Sequence, residues 1–114
     1  MIAVIFEVVP AEGRAKEYFD LAASLKAEVE RFDGFLSIER YESVTTKGRF
    51  VSISYWRDEK AVEAWRNVLG HRQAQAKGRT GIFADYRLRI CSVIRDYGMH
   101  ERAEAPGDSR RAHG

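Results

Sequence analysis

Several side chains in this 114-residue sequence stand where chemistry would need them. Glu7 interrupts an otherwise apolar run over residues 2–9. A carboxylate buried there without a partner is costly and holds its proton to higher pH, which suits a general base. The alternative is a cross-strand ion pair with Arg87 or Arg89. His71 is the histidine that precedes the C-terminal stretch. Near neutral pH it would serve as a base, a proton shuttle or an axial haem ligand, or would be an ordinary exposed helix residue. Arg72 and Arg79 follow it in sequence and would hold a carboxylate or phenolate by charge-assisted hydrogen bonds. Arg79 would equally satisfy the carbonyls at a helix C-terminus. Trp65 offers a flat stacking face and an N–H donor for an aromatic ligand, or fills a core; Trp56 reads first as a structural strand-end residue. Cys91 reads as a small buried hydrophobe.

The elements that must position these groups follow from periodicity. Residues 2–9 are β-branched and aromatic and predict a central strand ended by Pro10. Tyr18, Leu21, Ala22, Leu25 and Val29 recur at helical spacing, with charged residues between them, and predict an amphipathic helix over 14–31. Asp33-Gly34 ends it. A strand over 35–43, a turn at 45–48 and a strand over 49–56 form a hairpin. In the latter strand Phe50, Ser52, Ser54 and Trp56 share one face, and Val51, Ile53 and Tyr55 the other. Asp58 is placed to cap a second helix that carries Ala61, Val62 and Trp65, breaks near Leu69-Gly70 and runs to about Lys77, with Gly78 as its C-cap. A last strand covers 83–95. Residues 99–114 show no period and are expected to be a flexible tail beyond a 1–98 domain.

This order is βαββαβ, the ferredoxin-like α+β arrangement: an antiparallel sheet with helices on one face. The other face keeps apolar residues on the first and third strands. Burying it against a second copy predicts a homodimer, a dimeric α+β barrel.

Composition narrows the function. With 45% hydrophobic and 32% charged residues, 9 Gly and 2 Pro, the chain is ordinary globular protein of single-domain length. Its longest apolar run, residues 1–6, is far below the roughly 18 residues of a membrane span, and no secretory signal is visible, so a cytoplasmic protein without membrane contact is expected. One cysteine and three histidines predict no disulfide and no metal site. The net charge of +2 argues against nucleic acid. It is uneven: 9 basic against 12 acidic residues over 1–65, but 7 against 1 over 66–95. Such a basic segment would attract an anionic ligand or complement the acidic first helix. Gly78-Arg79-Thr80-Gly81 leads from helix to strand, the reverse of a phosphate-binding loop, and no dinucleotide or nucleophile-elbow motif is present.

The run Ile53-Ser54-Tyr55-Trp56-Arg57-Asp58-Glu59-Lys60-Ala61-Val62-Glu63-Ala64-Trp65-Arg66 is followed by His71-Arg72-Gln73-Ala74-Gln75 and Gly78-Arg79. With Tyr86-Arg87 and Arg95-Asp96-Tyr97 at the close, it resembles the antibiotic biosynthesis monooxygenase family over residues 1–98. The resemblance implies a dimeric α+β barrel and one of two activities, cofactor-independent oxygenation of aromatic quinols or haem degradation. In the haem-degrading members Trp65 has a counterpart, an asparagine stands at or next to Glu7, and the histidine ligand falls near Gln75, a helical turn beyond His71. The residue chemistry and the resemblance together give His71, Trp65 and Glu7 as the expected catalytic set, with Arg79, Trp56, Arg72 and Tyr86 as expected substrate-binding residues. The expected function is oxygenation of a small aromatic, quinol-like or anionic substrate without flavin or metal, the substrate itself supplying the electrons. Alternatives are haem binding and degradation, haem then being the substrate, or a barrel that binds a small ligand without turning it over.

Overall fold

The computed structural model describes residues 1–68, 72–73, 75–76 and 81–114. The order is β1 (Ile2–Pro10), α1 (Ala15–Glu30), β2 (Phe35–Glu42), β3 (Phe50–Trp56), α2 (Glu59–Arg66), β4 (Phe83–Ser92) and α3 (Gly107–His113). The four strands form one antiparallel sheet in the order β2-β3-β1-β4, with β1 central as its apolar sequence requires. α1 and α2 bury Tyr18, Ala22, Val29, Ala61, Val62 and Trp65 against one face, which gives the ferredoxin-like α+β fold expected from the sequence.

Two junctions set the helices on the sheet. Asp58 caps α2, its Oδ1 accepting the Ala61 N–H at 2.9 Å. That contact and the Arg57 guanidinium hold the Asp58 carboxyl below the usual carboxylate range. Arg57 also pairs through both terminal nitrogens with Asp33, 3.1 Å each, and donates its backbone N–H to the Gly34 carbonyl at 2.8 Å. Gly34 has φ +89°, and a Cβ there would lie 2.5 Å from the Ala61 Cβ, so the β2 entry and α2 approach too closely for any other residue.

Boundaries differ from the periodic reading for physical reasons. β4 ends at Ser92 rather than 95 because its partner runs out: Ile2 is the last residue opposite, and the Val93 N–H already donates to the Met1 carbonyl at 3.0 Å. α2 ends at Arg66 rather than near Lys77. Asn67 closes it, its side-chain amide donating to the Glu63 carbonyl, and helical backbone resumes at Arg72, Gln73, Gln75 and Ala76. The expected break at Leu69-Gly70 and the cap at Gly78 lie outside the described residues. Residues 99–114, read as aperiodic, contain α3. Arg102 donates to the Gly98 and Gly114 carbonyls, and Arg110 to those of Ala105, Arg102 and Ala103. Order built from arginine–carbonyl bonds leaves no hydrophobic period to read.

Candidate functional site

The register lays side chains in rows across the helix-facing side of the sheet. One end row is Phe35–Trp56–Ile2, the other Glu42–Phe50–Val8–Tyr86. Between them lie Ile38–Ser54–Val4–Ile90 and Arg40–Ser52–Phe6–Leu88. The middle rows carry serines where the end rows carry Trp56 and Phe50, and α1 places Ala22 above them. Small side chains on both layers leave space, and a cavity of about 640 Å³ opens between sheet and helices. That suits a small organic ligand.

One end of the cavity is an aromatic wall. Trp56, 3% exposed, and Trp65, 7% exposed, lie 6.4 Å apart at 33°. Phe32 stands edge-on to Trp65 at 5.4 Å and Phe35 to Trp56 at 5.3 Å, which fixes both indoles. The Trp56 N–H is spent on Ser54 Oγ at 2.9 Å. At the other end Tyr18 packs against Phe50 and Phe83 at 6.1 and 5.9 Å. Tyr18 is 4% exposed and its hydroxyl has no hydrogen-bond partner. Burial pushes the phenol above its ordinary range; Arg40 acts against this as charge and donor without reaching full hydrogen-bond geometry. Tyr18 is therefore a neutral donor at physiological pH.

The charged residues around the cavity have one sign. Lys26, Arg40, Arg66 and Arg72 line it, and no aspartate or glutamate does among the described residues. Lys26 faces Glu30 at 3.8 Å, and Arg72 donates to Gln75 and Asn67.

Of the residues singled out in the sequence, the structure brings Trp56, Trp65, Arg72 and Tyr86 together around this cavity. It does not bring Glu7 there. Glu7 has odd parity on β1 and points to the opposite sheet face, where its carboxylate meets Arg89 at 3.0 Å and stays 39% exposed. The ion-pair alternative describes it, with Arg89 rather than the directly opposed Arg87 as partner. His71 and Arg79 lie outside the described residues. Sequence reasoning missed Tyr18 and Arg40. Tyr18 looked like any other member of the α1 apolar stripe, and Arg40, exposed on the edge strand β2, carries no spacing signal of its own. The usable signal was the serine pair between Phe50 and Trp56, which marks room on an inward face. No cluster of metal-ligating side chains is present among the described residues, and no helix there is long and apolar enough to cross a membrane.

Comparison with known proteins agrees with this architecture. The chain is 43% identical over 101 residues to a protein of Pyricularia oryzae named jasmonate monooxygenase ABM; the match covers 89% of this chain and 47% of that one, so the chain spans about half the length of that relative. Among solved structures, Rv0793 of Mycobacterium tuberculosis superposes with a TM-score of 0.77 at 18% identity, over 85% of this chain and 98% of the other. A variant of SnoaB, a cofactor-independent oxygenase of Streptomyces nogalater, does so with 0.72 at 15% identity, over 83% and 94%. These two likenesses show the fold. The family model described as antibiotic biosynthesis monooxygenase matches residues 1–77, which hold β1 to α2 and most of the cavity, and the chain belongs to the antibiotic biosynthesis monooxygenase family.

Proposed function

We propose that the chain is a monooxygenase that oxygenates a small aromatic, quinol-like substrate in the cavity between sheet and helices, as a cytoplasmic homodimer and without flavin or metal. The observation that carries this reading is the apolar cavity walled by Trp56 and Trp65 in the part of the chain that matches the family. A flat, electron-rich ring stacks there against the two indoles, which fixes its orientation for reaction with dioxygen. In the net reaction one substrate carbon gives up two hydrogens and takes one oxygen atom as a carbonyl. The second oxygen atom leaves with those hydrogens as water, and all four electrons come from the substrate. The protein's part is to ionise and hold the ring. His71 is the proposed proton acceptor, since Glu7 is turned to the other face and paired. Arg79 and Arg72 are proposed to stabilise the anion that forms, and Tyr86 to close the β4 side.

The test is oxygen uptake with a hydroxylated anthrone, whose methylene becomes the quinone carbonyl. Uptake above autoxidation, one dioxygen per quinone, is expected, with a loss of about 100-fold or more for His71→Ala and a raised KM for Trp65→Ala. Uptake no faster than autoxidation across a set of hydroxylated aromatics would overturn the reading. Jasmonate, the substrate in the name of the Pyricularia oryzae relative, is the second probe, with product followed by mass. A hemin titration separates the haem alternative: a sharp Soret band at one hemin per chain, bleached by ascorbate, would replace quinol oxygenation with haem degradation.

A further inference from the structure

We propose that Tyr18 and Arg40 form a subsite for one carboxylate of the ligand, so that the cavity selects small organic acids with an apolar body over neutral molecules of the same shape. This deepens the proposed use of the cavity and does not depend on oxygen chemistry taking place in it.

The first support is an unmet donor. A buried hydroxyl without a partner costs about 1–3 kcal/mol, and folded proteins rarely leave one unless something else completes it. Tyr18 is such a group, on the wall of a cavity large enough for a ligand. The second is Arg40. Its row places it beside Ser52 on the same helix-facing side, close enough to Tyr18 for its charge to act on the phenol. It has no ion pair among the described residues, whereas Lys26 faces Glu30 and Arg72 is engaged by two neutral side chains. The third is the sign of the surroundings, cations without a carboxylate among the described lining residues. A guanidinium presents paired N–H donors to two coplanar oxygens, and the phenol adds a third donor to one of them. A carboxylate uses all three, while an ester or ketone offers a single uncharged acceptor. With the acid group at Tyr18, the rest of the ligand extends over the serine rows toward Trp56 and Trp65.

The tryptophans make this measurable. They are the chain's only two, and both line the cavity, so quenching of their emission reports occupancy directly. The probes are 1-naphthylacetate and its methyl ester, titrated into the full chain without substrate turnover. The wild type is expected to bind the acid at least about tenfold more tightly than the ester. Arg40→Gln should remove that preference by weakening the acid alone, and Tyr18→Phe, which deletes one oxygen and keeps the ring, should reduce it severalfold. Equal affinity for acid and ester in the wild type, no quenching by either at millimolar concentration, or a preference unchanged in both variants would overturn the proposal. A chain that prefers the acid yet takes up no oxygen with any substrate refutes the monooxygenase reading and leaves this one standing.

Discussion

Tyr18 enters the fold with a cost built in, and removing that cost is a prediction about stability rather than binding. Tyr18→Phe keeps the contacts to Phe50 and Phe83 and discards only the unpartnered oxygen. The variant is expected to be more stable than the wild type by about 1 kcal/mol in urea denaturation. The same group gives a pH signature. Its folded pKa is raised, so the native state holds the proton more tightly than the unfolded chain. That contribution is fully present below the unfolded tyrosine value of about 10 and is lost as pH rises through the folded value. Wild-type stability should therefore fall more steeply than that of Tyr18→Phe above pH about 10, and parallel curves would show that the phenol is not buried as described. At this scale the sequence disclosed less than it seemed to. Trp56 and Trp65 were legible because large aromatics at a strand end and on a helix stripe have few other places to go. Glu7 drew attention by its apolar neighbours, yet strand parity turns it away from the cavity. Tyr18 gave no sign, because a spacing pattern records that a side chain is inside and says nothing of whether its hydroxyl finds a partner.

The helices and strands were more legible, since their signals are local and repeated. α1 lies within one residue of its predicted span at each end, and the Asp58 cap starts α2 where expected. What was not legible depended on a partner's length, as at the end of β4, or on side-chain-to-carbonyl bonds, as in α3. Gly34 belongs between these cases. Its place after Asp33 announced a turn, but only the structure shows that the turn is pressed against α2. Gly34→Ala would add a methyl 2.5 Å from the Ala61 Cβ at a φ of +89°, so either the β2 entry or the α2 start must move. Backbone strain and overpacking together should cost about 3 kcal/mol, read as a lowered urea midpoint with an unchanged m value. Because Trp65 rides on the same helix, the variant should also lose part of the tryptophan quenching by 1-naphthylacetate. A variant as stable as the wild type would show that the junction has slack.

For the whole molecule, the unresolved economy is the sheet face that α1 and α2 leave uncovered. It carries Ile5 and Val9 from β1, Val51, Ile53 and Tyr55 from β3 and Tyr41 from β2, with the Glu7–Arg89 pair among them. The strands that floor the cavity are the ones that present this face, so covering it would also stiffen the site. Two copies meeting sheet to sheet bury the apolar residues and need no further element. Ile53 is the most informative position, because it stands on β3 between Ile5 and Glu39 in adjacent strands. Sedimentation at micromolar concentration should give the wild type twice the 13.0 kDa of one chain, and Ile53→Arg, which sets a charge where two copies meet, should sediment at 13.0 kDa with its circular dichroism unchanged. A wild type that sediments as a single chain would remove the dimer from the proposal, and a dimer that survives Ile53→Arg would move the interface to another face.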